Sequence, residues 1–580
     1  EINTALEVLQ EKPYLLKYEW IAPDGSKKSY QCSTSGVSAS YFIDVEKPEL
    51  WWPNGYGEQP LYQLNVSLIM DEQECDLKSY QIGLRTLTVS QEKDQWGSEF
   101  AFVVNGIKIF AKGADYIPED AIYPYITKER IAFLIDSCIR ANYNCLRVWG
   151  GGYYPGDDFF QLCDEAGIIV WQDLMFACNI YELSREFEKN IIEETKDNVK
   201  RIRHHACLGL WCGNNEIETA WLCWENFQGH SEKLRADYIK QFEYVLPRAV
   251  EEVDDRTFYW PSSPSSGGCF DHPNDENRGD VHYWEVWHGL KPFEDYRNYY
   301  FRFCSEFGFQ SFPSIKTVKS FTEKEDRNIF SRVMESHQKN NAANGKILYY
   351  LSENFLYPDG FENLLYVSQI LQGIAIKFGV EHWRRNRGRC MGALYWQLND
   401  NWPVASWASI DYYGRWKALH YMAKNFYAPI AGSLSRTGKM VEAYLQNETR
   451  KDSKCNVVIA LKTMDFTILD QASYTITVPA LTARKVSEKD FTELVRGRED
   501  QVFVEAVFTD ETGRQSVEVE FFEPYKYLKL EKPKITYEVR EEEDKYLISL
   551  TAEKLACFVE LDFAESDAIF SDNYFTLTGE

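Results

Sequence analysis

The chain is short of positive charge. Its 580 residues carry 63 Lys and Arg against 89 Asp and Glu, a formal net charge of −26. An acidic surface of that size repels phosphate backbones and anionic lipid, which excludes nucleic acid as a partner and argues against membrane docking. No apolar run approaches the roughly 20 residues that a membrane-spanning helix needs. The opening Glu1-Ile-Asn-Thr-Ala lacks a signal-peptide pattern. No CxxC pair occurs among the 14 cysteines, and Cys138/Cys145 and Cys207/Cys212 have no second pair at zinc-site spacing. Most thiols are therefore expected to be free and buried. The Gly-rich run GGGYYPG at 150–156 lacks the GxGxxG spacing of a dinucleotide site.

What remains is an ordinary folded composition, 44% hydrophobic and 26% charged, in a chain too long for one domain. Aromatics reach 15%, with 17 Trp and 37 Tyr. Their flat apolar faces suit C–H-rich sugar rings, but large cores use them equally, and composition alone favours the core.

Three rhythms divide the chain. Residues 1–90 alternate as strands, for example YFIDVEKPELWW and LYQLNVSLIM, with turns at Pro23-Asp24-Gly25 and Pro53-Asn54-Gly55. They predict an immunoglobulin-like β-sandwich. Over 91–430 short apolar strands alternate with helical patterns: NCLRVWG, DDFFQLCDEAG, IIVWQDL, a helix over 184–203, then CLGLWCG. That alternation predicts a parallel α/β domain, a (β/α)8 TIM barrel in preference to a doubly wound sheet, with its polar residues gathered after the strands. Strands return over 431–530, predicting a second immunoglobulin-like sandwich. Residues 531–580 read as the start of a further sandwich. The chain is expected to be cut at both ends, with a leader or leading domain lost.

Two strand ends carry chemistry. CLGLW runs into Gly213, Asn214, Asn215 and Glu216, which sets a carboxyl against apolar walls. Burial disfavours its charged form, as a general acid at neutral pH requires. FRFCSE brings Glu306 to the end of an aromatic strand, with Ser305 and Arg302 beside it to keep it ionised as a nucleophile. Taken singly, either glutamate could be structural. The 90 residues between them leave room for two strand–helix units, which places the pair on the fourth and seventh barrel strands. Retaining glycosidases hold two carboxylates about 5 Å apart in such a mouth.

The surrounding motifs resemble the β-mannosidases of glycoside hydrolase family 2. They are WWPNGYGEQPLY at 51–62, FAKGADYIPED at 110–120, NCLRVWGGGYY at 144–154 and VWQDLMFAC at 170–178. WCGNNE at 211–216, GDVHYWEVWHG at 279–289, SEFGFQSFP at 305–313 and GALYWQLNDNWPVASWASIDYYGRWKALHY at 392–421 complete the set. The resemblance implies an exo-acting, retaining enzyme that removes terminal β-linked mannose from oligosaccharides, with a β-glucosaminidase, β-galactosidase or endo-acting mannosidase of the same family, or a non-catalytic carbohydrate-binding protein, as the alternatives. It implies Glu216 as acid/base, Glu306 as nucleophile, Asn215 as the amide on the sugar 2-hydroxyl and Trp396 as the floor of the −1 subsite. Asp115, Arg147, Trp149 and Tyr283 are implied as further subsite residues. His282, beside Tyr283 and Trp284, is expected to hydrogen-bond there. His204 and His205 are adjacent and cannot easily share one ion, so neither a metal nor a cofactor is expected. Trp287 reads equally as packing. Arg384-Arg385 reads as helix-surface or inter-domain ion pairing.

The sequence departs from the family where KGANW is common: here it reads Lys112-Gly-Ala-Asp115-Tyr116. This puts a carboxylate and a phenol in what is expected to be a substrate-facing loop, and predicts a less strict preference for mannose. Ala206 replaces a common Pro. The sugar-binding-like sandwich that precedes the first immunoglobulin-like domain in the family has no counterpart here, so a weakened active-site wall is expected. The resemblance leaves a homo-oligomer open, and implies periplasm or cytoplasm for a bacterial source and lysosome for an animal one.

Overall fold

Strands buried on both faces mark the centre of the molecule. The computed structural model describes residues 1–7 and 12–579. Eight strands form one parallel sheet: β1 Ala111–Tyr116, β2 Cys145–Val148, β3 Ile169–Asp173, β4 Leu208–Cys212, β5 Phe258–Trp260, β6 Val281–Tyr283, β7 Cys304–Phe307 and β8 Gly392–Tyr395. Seven of them are buried at every position, as parallel strands covered by helices must be. The order is β5-β4-β3-β2-β1-β8-β7-β6, so β1 and β8 close the ring and β5 and β6 are its two ends. That seam is joined by side chains. Asp280, just before β6, accepts from Trp260 Nε1 at 2.8 Å and from Ser265 N at 3.0 Å.

The expected helices flank the early strands: α1 Lys128–Arg140, α2 Asp157–Ala166 and α3 Arg185–Ile202. Ser184 caps α3 by accepting from Phe187 N at 3.2 Å. The regular alternation fails later. Residues 261–280 between β5 and β6 contain no helix, and only a 3-10 turn, Phe293–Asn298, separates β6 from β7. A 25-residue helix, α4 Phe361–Arg385, covers the far side. Phe100 and Phe102, from the sheet that precedes β1, enter the barrel core against Trp171 and Phe303. Each fully buried Phe is worth about 1.5–3 kcal/mol relative to exposure.

The flanking sheets are antiparallel. In the first, Tyr14–Ile21 alternates buried and half-buried residues, and Leu16, Tyr18, Trp20, Tyr62 and Leu64 form a small core. After the barrel, a three-stranded and a four-stranded sheet span Ile430–Phe521 around a separate core that includes Val457, Val504 and Phe508. The hairpin Ile535–Glu542/Lys545–Ala552 follows. All 14 cysteines are free, eight of them buried, so none of this is cross-linked. No helix among the described residues is long and apolar enough to cross a membrane.

Candidate active site

The turn after β4 is built to present a carboxyl. A Cβ at Gly213 would lie 2.3 Å from Pro261 O, so only glycine lets the chain pass. Asn214 then locks the turn to the loop after β5. Its Oδ1 accepts from Ile217 N at 3.0 Å and Ser262 Oγ at 2.8 Å, and its Nδ2 donates to Pro261 O at 3.0 Å. Glu216 follows in the left-handed region, at φ 62°, and donates its own N–H to Ser263 O at 2.8 Å. A non-glycine residue there is uncommon, and here the surrounding bonds enforce it. The Glu216 side chain, 14% exposed, reaches His282 Nδ1 at 3.0 Å and Cys178 Sγ at 3.6 Å. Burial raises its pKa, against the opposing pull of Arg147.

Glu306 lies within β7, and its side chain is 6% exposed. Oε2 accepts from Arg147 Nη1 at 2.9 Å and Oε1 from Trp284 Nε1 at 3.2 Å. Burial raises its pKa as well, and the neighbouring Glu216 adds to the rise; Arg147 pulls it back. One carboxylate oxygen of each glutamate and one ring nitrogen of His282 all lie within 4.8 Å of one another.

Arg147, on β2, organises the floor. Besides Glu306 it donates to Asp173 Oδ2 at 2.8 Å, Asp115 Oδ1 at 3.1 Å and Asn215 Oδ1 at 2.6 Å. One cation cannot balance three buried carboxylates, and burial pushes Asp115 well up and Asp173 up. Asp115 Oδ2 is buried without a hydrogen-bond partner among the described residues. The KGADY segment is thus no substrate-facing loop. It is a buried strand whose carboxyl turns to Arg147 and whose Tyr116 packs on Phe159 at 4.6 Å.

Six of the expected residues therefore meet: Glu216, Glu306, Asn215, Arg147, Asp115 and His282. Trp149 and Trp396, half-buried at the ends of β2 and β8, stand edge to face with centroids 5.0 Å apart. Trp396 is tied to β7 by its backbone N–H to Phe307 O at 2.7 Å. Tyr283 goes elsewhere: its hydroxyl donates to Asp295 and its ring packs among Tyr296, Tyr299 and Phe301. Arg302 does not attend Glu306. It pairs with Asp94 at 2.6 Å, and Arg147 supplies the cation instead. Trp287 packs edge-on against Phe309. Arg384 is buried and donates to the carbonyls of Phe426 and Ala428, whereas Arg385 reaches toward Leu434 of the following sheet.

Sequence reasoning missed Asp173, Cys178, Trp284 and Asp280. Asp173 is the acidic end of the buried apolar strand β3, and that signal would have found it. The other three lie in loops, where no periodicity points. Among the described residues, two clusters have metal-like donor sets. In one, Asp164 accepts from His205 Nδ1 at 2.7 Å and Cys207 N at 2.8 Å, so its oxygens are already committed in the core. The other is the Glu216–His282–Glu306 group itself, where Arg147 and Trp284 already occupy the carboxylate oxygens of Glu306.

Comparison with known proteins agrees across the chain. The signature "Glycosyl hydrolases family 2" matches residues 10–85, "Mannosidase Ig/CBM-like domain" 439–527 and "Ig-fold domain" 530–580. Beta-mannosidase B of Aspergillus clavatus is 39% identical over 411 residues, which are 69% of this chain and 48% of that protein. That of Emericella nidulans is 37% identical over 413 residues. The chain spans about half the length of these curated relatives. The crystal structure of a beta-D-mannosidase from Dictyoglomus thermophilum superimposes with a TM-score of 0.94 at 32% identity, over 99% of this chain and 70% of that one. The exo-chitosanase CsxA of Amycolatopsis orientalis shares the fold, with a TM-score of 0.77 at 16% identity.

Proposed function

The chain belongs to the β-mannosidases of glycosyl hydrolase family 2, and from that premise we propose that it is a retaining exo-β-mannosidase acting on terminal β-linked mannose of oligosaccharides. One observation carries the mechanism: an oxygen of one carboxylate lies within 4.8 Å of an oxygen of the other. That spacing suits direct attack by one of them, whereas an inverting pair needs about 6.5–9.5 Å to admit a water.

Glu306 is the nucleophile. Its Oε2 is held by Arg147 and its Oε1 by Trp284, which fixes its aim and offsets its burial. It attacks the anomeric carbon while Glu216 gives its proton to the departing glycosidic oxygen. Glu216 then takes a proton from water as that water displaces Glu306 from the anomeric carbon. The products are free sugar, an ionised Glu306 and a protonated Glu216. Asn215, with Oδ1 tied to Arg147 and one amide N–H donated to Cys178 Sγ at 3.3 Å, keeps its second amide N–H for the sugar 2-hydroxyl. Trp396 and Trp149 supply the apolar wall.

A panel of nitrophenyl glycosides tests the sugar, and proton NMR of the first product formed tests the stereochemistry. The β-mannoside should be turned over best, with β-mannose appearing before its α-anomer. Faster turnover of a glucosaminide or galactoside would overturn the substrate, and α-mannose appearing first would overturn the mechanism.

A further inference from the structure

The seam between β5 and β6 reaches the acid/base through hydrogen bonds that leave little freedom for protons. Asp280 is fully buried and accepts from four donors: Trp260 Nε1, Ser265 N, Ser263 Oγ at 2.6 Å and Ser305 Oγ at 2.5 Å. The first two donors have no alternative role. Ser263 Oγ also lies 3.2 Å from Ser305 Oγ, but the much shorter bonds of both hydroxyls to the Asp280 carboxylate take their protons, so toward His282 Nε2, at 2.9 Å, the Ser263 oxygen accepts. His282 Nε2 must then carry the ring proton. Arg147 Nη1 is 3.5 Å from that nitrogen, too far for a good hydrogen bond. Burial pulls the imidazole down to about 4, so the ring holds only one proton near neutrality. Its other nitrogen, Nδ1, presents a lone pair to Glu216 Oε1 at 3.0 Å and Glu306 Oε1 at 3.7 Å.

We propose that Asp280 and Ser263 are positioning residues that hold His282 as its Nε2–H tautomer, so that the Nδ1 lone pair keeps the acid proton on Glu216. A lone pair facing two carboxylates is repulsive unless one of them is protonated. Glu306 is engaged by Arg147, which leaves Glu216 as the proton's place. Cys178 Sγ, on the other Glu216 oxygen, is a weak donor and does not compete for it. The inference rests on Glu216 being the acid, but its test does not depend on turnover.

Nitrogen-15 NMR of histidine-labelled protein, with the His282 signals assigned by their loss in His282→Gln, reads the tautomer directly. The expected wild-type result is a protonated Nε2 and an unprotonated Nδ1 from about pH 6 to 8, a range in which an unperturbed histidine would titrate. An Nδ1–H tautomer or an imidazolium there would overturn the proposal. Ser263→Ala, which leaves Asp280 its other donors, should mix the tautomers. It should lower kcat/KM about tenfold for an oligosaccharide while a dinitrophenyl mannoside stays within about twofold, because only the poor leaving group needs the full proton. Asp280→Asn should act in the same direction. Unchanged tautomer and kinetics in both variants, or equal loss on both substrates with an unchanged tautomer, would leave only a structural role and sink the idea. If Glu216 proves not to be the acid, the tautomer result still stands or falls by itself.

Discussion

The two walls of the site hold the same residue type in opposite ways. On the β7 wall, Glu306 sits inside a strand and is gripped by a buried guanidinium and an indole N–H. On the β4 wall, Glu216 sits in a left-handed turn beyond the strand and is met by an imidazole and a thiol. One wall offers charge and rigid donors; the other offers neutral, polarizable neighbours and more solvent, 14% exposure against 6%. The difference teaches that environment, not residue identity, is what would divide the proposed nucleophile from the proposed acid.

Removing the charged wall should do most damage. Glu306→Gln is expected to lower kcat on order of 10^4-fold or more, as loss of other enzymic nucleophiles does, with the thermal midpoint little changed. Stopped assays with aryl mannosides measure it, and near-normal turnover would end the assignment. Glu216→Ala should cost about 10^2–10^4-fold in kcat/KM on an oligosaccharide and far less on a dinitrophenyl mannoside. Equal losses on both substrates would dissolve the contrast between the walls.

The pH profile probes both walls together. Burial raises both carboxyls, so the limbs should lie above the ordinary glutamate range of about 4.3. Activity should rise with pH as the pair loses its first proton, freeing Glu306, and fall at higher pH as Glu216 loses the second. The two apparent values belong to the pair. In Glu216→Gln the upper limb should vanish, and its persistence would assign that limb to another group. The smallest effect is expected from Cys178→Ala, about two- to fivefold in kcat/KM, weighted toward poor leaving groups, since a thiol is a weak donor. A larger loss than that of Glu216→Ala would mean that the thiol does more than flank the acid.

Much of this was legible in the sequence, and the failures share a cause. The apolar strands with acidic ends located Glu216 and Glu306, and strand–helix alternation located the barrel around them. Adjacency along a strand then misled. Neighbouring residues point to opposite faces, so Tyr283 departs to Asp295 while His282 enters the site. Arg302, four residues before Glu306, sits toward the strand's other end beside Asp94. Asp115 reads in the sequence as a loop residue, whereas it lies within β1 and its partner is Arg147. The β5–β6 seam was invisible because it is held mainly by side chains on Asp280 and by loop residues, which leave no rhythm in sequence.

Arg147 also bears on how the protein comes apart. Its guanidinium joins β1, β2, β3, the turn after β4 and β7, across 159 residues between itself and Glu306. A half-assembled barrel would strand that cation, or the carboxylates meant for it, without balance. Such species are penalised by about 3–5 kcal/mol for each broken buried pair. Catalytic competence should therefore switch on late and all at once in refolding, and in denaturant it should disappear together with the barrel's secondary structure. The proposed activity would then serve as a reporter of global assembly.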